Sequence, residues 1–217
     1  MTRFIVIRHC EAEGNRERRF QGTFDGEVSA LGEKQLEYLA LRFRNEKIDK
    51  IYSSSRKRAL ATAEAVNKYH GIDINIDDTV MEINAGLWEG KLFSDFPKLF
   101  PKEIELWDNE PHNFIAPEGE KMSDVYNRMV GFVKDKALKH KGECIVIASH
   151  GCAIRNLLCW ADGLGFENLS KEVWCANTAV NIIDIDDELN PHLILKNDIS
   201  HLPDEMKTLS SQKWNTK

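Results

Sequence analysis

Two histidines, His9 and His150, each follow a short run of apolar residues of the kind that forms a buried strand. Residues 4–7 are one such run and residues 144–149 are the other. In open α/β sheets, ligands bind beyond the carboxyl ends of the strands, so both imidazoles stand where chemistry can occur. One histidine alone is better explained as a satisfied cap on a buried strand. Two of them, each followed by a glycine-containing turn, predict rings that converge on one crevice.

Two arginines could bring positive charge to the same crevice. Arg8 directly precedes His9, and Arg58 falls in the first turn of a helix predicted over residues 56–69. An arginine backed by the free amides of a helix amino terminus suits an anion. We interpret the adjacent Arg56 and Lys57 as solvated surface residues. A basic crevice with two imidazoles therefore favours an anionic small molecule.

Predicted strands and helices alternate along the chain. These elements must position the two histidines and the two arginines. Apolar runs predict strands at 4–7, 48–53, 72–76 and 144–149, and helical periodicity predicts helices at 30–45, 56–69, 122–133 and 152–160. Residues 179–184 and 192–196 form a final hairpin of strands. This alternation predicts a three-layer α/β/α sandwich whose mostly parallel sheet carries an antiparallel strand. We expect one domain over residues 1–217.

Residues 83–117 show neither helical nor strand periodicity. Aromatic side chains are scattered there among prolines and acids. We interpret the stretch at about 83–120 as a cap-like insertion over the site, and we expect most of its aromatic rings to pack locally rather than touch a ligand. The tail after Pro203 is polar and is predicted to fray.

Composition excludes several classes of function. The net charge of −6 over 217 residues argues against a nucleic-acid partner. The longest apolar runs are shorter than a membrane span, and the stretch after Arg3 is too short for the apolar part of a signal peptide, so we expect a cytoplasmic protein without a membrane partner. Five cysteines without a C-x-x-C spacing predict neither a disulfide framework nor a zinc site. Homo-oligomer formation is left open.

Five stretches, in order, resemble the histidine phosphatase superfamily, which includes the phosphoglycerate mutases and broad-specificity phosphatases. They are Arg8-His9-x-Glu11, Gln21-Gly22 with Asp25 and Leu31-Gly32, Tyr52-Ser53-Ser54 with Arg58-Ala59 and Thr62-Ala63, Glu82 with Gly86-Leu87-Trp88-Glu89-Gly90, and Ser149-His150-Gly151. The matches span residues 3 to about 202. The resemblance implies a phosphoglycerate mutase-like fold and the phosphatase branch of the family.

The resemblance implies a phosphomonoester hydrolase that works without a metal or other cofactor. His9 would be the nucleophile that forms a phosphohistidine, and Glu82 would be the general acid for the leaving alcohol and then the base for water. Glu11 and Glu89 rank lower as candidates for that acid.

The remaining predicted site residues would hold the phosphate of a small phosphorylated substrate. His150 would add positive charge once the phosphate dianion is bound. The phosphate-binding set is Arg8, Asn15, Gln21, Gly22, Thr23, Arg58 and Gly151, with the backbone of Gly22 and Thr23 as neutral donors.

One departure from the family pattern bears on activity. The family normally has glycine after its nucleophilic histidine, and this chain has Cys10. If that position needs a positive φ or a close approach of the backbone to phosphate, the β-carbon is unfavourable there and activity could be weak. Ser55 also stands where aspartate is usual. Two alternatives stay open: a non-enzymatic phospholigand-binding module weakened by Cys10, and a cofactor-dependent phosphoglycerate mutase, which shares the phosphohistidine.

Hydrolysis is favoured over the mutase reaction because mutases of the family carry a longer insertion and an arginine after the acid, whereas Ile83 follows Glu82 here.

A last hypothesis concerns Cys10 and Cys152, which follow the two histidines. Adjacent arginines could lower a thiol pKa and permit oxidative control. The competing interpretation, that both are small apolar fillers beneath the site, is preferred.

Overall fold

Six strands and seven α-helices form the part of the chain that this computed structural model describes, residues 1–208. The strands are β1 (Thr2–Arg8), β2 (Lys50–Ser53), β3 (Ile74–Ile76), β4 (Cys144–Ser149), β5 (Val180–Ile185) and β6 (Pro191–Asp198). The helices are α1 (Glu13–Arg16), α2 (Ala30–Phe43), α3 (Lys57–Asn67), α4 (Phe96–Leu99), α5 (Pro101–Asn109), α6 (Met122–Lys139) and α7 (Gly151–Ala161).

The strands form one sheet in the order β3-β2-β4-β1-β5-β6. β1 and β4 are parallel neighbours near its centre, and β2 and β3 continue the parallel part. β5 runs antiparallel to β1, and β6 antiparallel to β5. The predicted mostly parallel sheet with a late antiparallel strand is confirmed.

Helices cover both faces of this sheet. Alternate residues of β1 supply the two cores: Phe4 and Val6 pack with α6 and α7, whereas Ile5 and Ile7 pack with α2 and α3. A strand buried on both faces needs no polar alternation, which explains the uninterrupted apolar run at residues 4–7. The three-layer sandwich is confirmed.

The aperiodic stretch after Glu82 consists of short helices and turns packed on the α6–α7 face. Its rings Trp88, Phe96, Trp107 and Phe114 are buried in the same apolar cluster as the strands beneath them. Gly86 allows the tight path, since its φ is +52° and a Cβ there would lie 2.1 Å from the carbonyl oxygen of Pro117. The segment thus shares a core with the sheet.

Two local predictions differ from the structure. The strand expected at 72–76 is only Ile74–Ile76, an edge strand with no buried residue, because just one neighbour covers it. The tail after Pro203 is not frayed as far as residue 208: Gln35 Nε2 donates to Met206 O at 2.9 Å, and Thr208 is buried. Residues 209–217 lie outside the described residues.

Within residues 1–208, no helix is both long enough and apolar enough to cross a membrane.

Candidate active site

The two histidines lie side by side because their strands are adjacent. Arg8 pairs with Ser149 in the parallel register of β1 and β4, so the next residue of each strand leaves the sheet at the same point. The ring centroids of His9 and His150 are 5.2 Å apart. The backbone N–H of His9 also donates to Ser149 O at 2.9 Å. The convergence inferred from spacing is present in the fold.

His9 is held as a neutral imidazole with its Nε2 lone pair free to react. Nδ1 lies 2.6 Å from Cys10 O, and since a carbonyl can only accept, Nδ1 carries the proton. Burial lowers the pKa of His9 well below 6.5, and the charges of Arg58 and Arg8 lower it further. A neutral histidine of this tautomer has the protonation state that a nucleophile requires.

The backbone of His9 is anchored by residues that lie outside the five family-like stretches. Asn177 Nδ2 donates to His9 O at 2.9 Å, and Thr208 Oγ1 donates to Asn177 Oδ1 at 2.9 Å. The one available sequence signal is a polar Asn-Thr pair just before the apolar run of β5. The tail up to Thr208 is thereby connected to the nucleophile through a buried amide.

His150 is fully buried and is oriented by a serine. Its Nε2 lies 2.7 Å from Ser54 Oγ, and its Nδ1 has no hydrogen-bond partner among the described residues. Burial, followed by the charges of Arg58 and His9, lowers the pKa of His150 well below 6.5. The ring is therefore neutral before a ligand binds, and a phosphate dianion beside it would favour its protonation. Ser54 belongs to the family-like stretch Tyr52-Ser53-Ser54, and the sequence alone did not predict its contact with His150.

Arg8 lines the pocket and passes close to the start of α7. Its Nη1 donates to Cys175 O. A Cβ on Gly151 would lie 3.3 Å from Arg8 Nε, which is tighter than most real contacts. Glycine at this position therefore leaves room for the guanidinium. Burial lowers the pKa of Arg8, yet an arginine stays charged at neutral pH.

The terminal nitrogens of Arg58 donate hydrogen bonds to the loop after α1. Nη2 donates to the carbonyls of Gln21 and Gly22 at 3.1 and 2.9 Å, and Nη1 donates to Phe24 O at 2.8 Å. Its Nε is buried without a partner. Burial lowers the pKa of Arg58 to about 10, so it remains a cation. Arg58 thus holds the loop while its charge acts on both imidazoles.

Two amide side chains also line the pocket, those of Asn15 and Gln21. Asn15 Oδ1 accepts from the N–H of Ala12 at 3.0 Å, which leaves its Nδ2 as the group for a ligand. Both polar atoms of the Gln21 side chain are buried without a hydrogen-bond partner. Buried amides without partners are costly, and an oxyanion would satisfy their donors.

The backbone of Gly22 and Thr23 has a different partner from the one expected. Their N–H groups donate to the carboxylate of Glu89 at 3.2 and 2.9 Å, as does that of Phe24 at 2.9 Å. The assignment of these amides to a phosphate is therefore corrected: they anchor the loop to Glu89. The same bonds explain Glu89 as a structural residue rather than an acid for catalysis.

Glu82 lines the pocket and receives the amino terminus of α7. Oε2 accepts from Cys152 N at 2.9 Å, and Oε1 accepts from Ala153 N at 3.0 Å. Burial raises the pKa of Glu82, and it outweighs these backbone bonds and the charge of Arg58, which lower it. A raised pKa lets a carboxyl group keep its proton for a leaving alcohol. Glu11, by contrast, accepts from Ser29 Oγ at 2.6 Å and does not line the pocket.

Cys10 is not strained. Its φ is not positive, and its side chain is fully buried in the apolar cluster between the sheet and the α2–α3 layer. The Cβ thus points into the core and not into the pocket. The strain expected from a positive φ is therefore absent, and an effect of Cys10 on catalysis stays a prediction.

The two cysteines beside the histidines lie on opposite faces of the sheet. Cys10 belongs to the α2–α3 core and Cys152 to the α6–α7 core. Burial raises the pKa of Cys10 to about 12 and raises the pKa of Cys152 well above 9. The hypothesis of a lowered thiol pKa is wrong, and the interpretation as apolar fillers agrees with this placement.

The pocket above these residues has an empty volume of about 460 Å³ with its open mouth included. Its polar end is formed by six residues, which we call the polar floor: Arg8, His9, Asn15, Gln21, Glu82 and Gly151. Four rings line the rest of it, and we call them the aromatic wall: Phe20, Phe93, Trp107 and Trp174. Cys152 completes the lining. The floor thus offers charged and polar groups, and the wall offers apolar ring surface.

The floor and fold match a known family. The model of the histidine phosphatase superfamily (branch 1) matches residues 4–198. Phosphoserine phosphatase 1 of Hydrogenobacter thermophilus is 32% identical over 203 residues, covering 92% of this chain and 93% of that protein. Phosphoglycerate mutase-like protein 4 of Arabidopsis thaliana is 30% identical over 201 residues, with 91% and 86% covered.

A solved structure is also similar. Bacillus stearothermophilus YhfR superposes with a TM-score of 0.88 at 30% identity, covering 93% of this chain and 99% of that one. The chain therefore belongs to the histidine phosphatase superfamily. The resemblance inferred from five short stretches is confirmed, as is the phosphoglycerate mutase-like fold.

Proposed function

We propose that this protein is a phosphomonoester phosphatase that acts through a phosphohistidine at His9. The observation that carries the proposal is the state of His9: a buried, neutral imidazole whose Nδ1 is protonated, beside two arginines. Relatives named as phosphatases, among them the phosphoserine phosphatase of Hydrogenobacter thermophilus, support this class of reaction.

In the first step, His9 Nε2 attacks phosphorus in line with the ester oxygen. The N–P bond forms, the P–O bond breaks, and the leaving alkoxide takes the proton of Glu82. In the second step, the Glu82 carboxylate accepts a proton from water while the water oxygen bonds to phosphorus and the N–P bond breaks. Inorganic phosphate leaves, and both side chains return to their starting states.

Charge on the transferring group would be balanced by Arg8 in the polar floor and by two buried groups that do not line the pocket, Arg58 and His150. Phosphoryl transfer requires chiefly positioning and stabilisation of the equatorial oxygens. Arg8 lines the pocket, and the charge of Arg58 acts on both imidazoles. The unpartnered Nδ1 of His150 is a further donor once the dianion has protonated that ring. We assign the phosphate to these three groups, with Asn15 and Gln21 as neutral donors.

Hydrolysis is preferred to the mutase reaction. Ile83, which follows the proposed acid, is fully buried and apolar, so this position offers no charge for the second acidic group of a phosphoglycerate. A mutase must also keep water from its phosphohistidine. We propose that the bound intermediate here is open to water at the mouth of the pocket.

The decisive experiment measures products and intermediate together. Purified protein is incubated with a panel of phosphate esters, with and without a chelator, and free phosphate is quantified. A rapid alkaline quench with radiolabelled ester should retain an acid-labile label on the wild type and none on His9→Ala. Transfer of phosphate between hydroxyls of 3-phosphoglycerate without release would overturn the hydrolase, and loss of all turnover with chelator would overturn metal independence.

Three properties of the protein in the cell stay predictions. We propose a cytoplasmic location and small phosphorylated substrates, with no nucleic-acid partner. The acidic net charge of −6 supports the last point. Size-exclusion chromatography with light scattering decides whether the chain forms a homo-oligomer.

A further inference from the structure

The proposed acid, Glu82, lies on a stretch of backbone that is neither helix nor strand. Residues 81–85 have no regular secondary structure, although Glu82 itself is buried. A group that transfers a proton must be held close to the reacting oxygen, and a displacement of about 1 Å can cost a hundredfold in rate. The position of Glu82 therefore depends on the contacts that its neighbours make with the rest of the fold.

Arg128, on α6, holds the backbone that precedes Glu82. Its Nη1 donates to Thr79 O at 2.8 Å and to Met81 O at 2.6 Å. Ser149 Oγ, at the end of β4, donates to the carbonyl oxygen of the residue between these two at 2.6 Å. Hydrogen bonds from a charged donor are the stronger ones in proteins. Three consecutive carbonyls before the acid are thus fixed to α6 and β4.

Glu120 holds the backbone that follows Glu82 and also orients Arg128. The N–H of Asn84 donates to Glu120 Oε2 at 3.2 Å, and the N–H of Glu120 donates to Asn84 O at 2.8 Å. Arg128 Nε donates to Glu120 Oε1 at 2.8 Å and Arg128 Nη2 donates to Oε2 at 3.2 Å. We call Arg128 and Glu120 the acid clamp, since this bidentate pair holds the chain on both sides of Glu82.

The acid clamp lies beside the catalytic pocket and not in it. Glu82 lines both that pocket and a neighbouring cavity. Arg128 and Glu120 line the neighbouring cavity and are not among the described residues that line the catalytic pocket. The clamp can therefore affect the reaction through the placement of Glu82, without a contact to the substrate.

We infer that Arg128, oriented by Glu120, is a positioning residue for proton transfer by Glu82. The inference rests on the proposed function and deepens it. The carboxylate oxygens of Glu82 are held by the amides of Cys152 and Ala153 on α7, and the clamp holds its backbone. Without the clamp, the carboxyl group loses its alignment with the leaving oxygen, whereas His9 and Arg8 keep their own contacts.

The test compares two esters that differ in their need for an acid. Phenyl phosphate releases a phenolate that must be protonated, whereas 4-nitrophenyl phosphate releases a stabilised anion that needs little help from an acid. The quantity measured is kcat/KM, which reports formation of the phosphohistidine. Arg128→Met should lower kcat/KM for phenyl phosphate by about ten- to a hundredfold. The value for 4-nitrophenyl phosphate should fall by less than about threefold.

A second background separates positioning from general damage. In Glu82→Gln protein the acid is already absent, so adding Arg128→Met should lower kcat/KM for phenyl phosphate by less than about twofold. Arg3→Met is the matched control. Arg3 makes a similar bidentate pair with Asp184, at 2.8 and 2.7 Å, at the opposite end of β1 from His9. Its loss should leave the ratio of the two esters unchanged.

Arg128→Lys tests geometry against charge and remains informative if Arg128→Met does not fold. Lysine keeps the positive charge, but its single nitrogen cannot hold both carbonyls and pair with both oxygens of Glu120. The ratio of kcat/KM for phenyl phosphate to that for 4-nitrophenyl phosphate should therefore stay at least about fivefold below the wild-type ratio. A wild-type ratio in Arg128→Lys would overturn the positioning role.

The outcomes distinguish the inference from the proposed function. If the wild type hydrolyses neither ester, the phosphatase function fails. If Glu82→Gln lowers both esters equally, the assignment of the acid is wrong and the inference falls with it. If Glu82→Gln affects chiefly phenyl phosphate but Arg128→Met lowers both esters equally, the function stands and the inference is overturned. A full additional loss from Arg128→Met in the Glu82→Gln background would overturn it as well.

Discussion

The polar floor and the aromatic wall of the pocket differ in how far their side chains find partners within the protein. In the floor, polar atoms of Gln21 are buried without partners, and the ionisable groups of His9 and Glu82 have pKa values displaced by burial. In the wall, each ring packs against another ring at a favourable separation. The floor holds several polar groups that a ligand would satisfy, whereas the rings of the wall already pack against one another, although Trp174 Nε1 is also buried there without a hydrogen-bond partner.

This contrast separates activity from stability. Groups that are buried without partners cost free energy in the folded state, so their removal need not weaken the fold. Rings that fill the core stabilise the fold, and their removal leaves cavities. We expect floor substitutions to affect turnover and wall substitutions at buried rings to affect unfolding.

The largest effect is expected at the nucleophile. His9→Ala should lower kcat by at least about a thousandfold, because no other described floor residue has a free neutral imidazole nitrogen of this tautomer. The denaturation midpoint in urea should fall little. His70→Ala is the control, since the His70 ring bonds to Phe43 O far from the pocket. A variant at His9 that keeps most of its rate would remove the nucleophile assignment.

Replacing the acid should remove the alkaline limb of the pH profile. The pKa of Glu82 is raised, so its protonated form is lost only as the pH rises through that higher value, and kcat/KM should fall there. The pKa of His9 is lowered well below 6.5, so the acid limb should lie well below that pH.

Glu82→Gln should therefore lower kcat by about 10² to 10⁴ and flatten the alkaline limb. Ionisation of the substrate affects the wild type and Glu82→Gln alike, so it cancels in the ratio of their kcat/KM values. An unchanged alkaline limb in the variant would assign that limb to another group.

Substitution of a buried ring in the wall should lower the stability of the fold. Trp107→Ala removes a ring that is 4% exposed and contacts Phe20 and Trp174, so the free energy of unfolding should fall by about 3–5 kcal/mol. Leu99→Ala in the same segment is 50% exposed before substitution and should change it by less than about 0.5 kcal/mol. Urea unfolding followed by circular dichroism measures both. Similar values for the two variants would show that the wall is not part of the core.

A smaller effect on kcat is expected from a substitution in the carboxyl-terminal tail. Thr208→Val removes the hydroxyl that holds Asn177, and so loosens the anchor on the His9 carbonyl. One such bond is worth about 1 kcal/mol, which corresponds to about a fivefold fall in kcat with KM little changed. Ser200→Ala, at an exposed turn, should leave both constants as they are. A change in KM alone would argue against a positioning role.

The smallest effect is expected at Cys10. Its φ is not positive and its thiol is buried away from the pocket, so Cys10→Ala should change kcat by less than about twofold. Peroxide treatment of the wild type should likewise leave activity intact, because burial raises the pKa of the thiol to about 12. Rapid inactivation that Cys10→Ala prevents would restore the redox hypothesis.

Much of the floor could be predicted from the sequence. Apolar runs ending in His9 and His150 define strand ends, and parallel neighbours bring such ends together whatever the length of chain between them. The fold class followed from the same strand–helix alternation. Family-like stretches then singled out Arg8, Arg58 and Glu82, whose identities suit phosphate chemistry.

Tertiary structure decided the rest, because it depends on contacts between segments without local periodicity. Only the folded chain shows that Glu89 occupies the amides of Gly22 and Thr23, or that Asn177 and Thr208 hold His9. The direction of the Cys10 side chain likewise depends on how β1 turns after the sheet. Periodicity reports which face of an element is buried, whereas the partner of each polar group is set by loops that meet across the sheet.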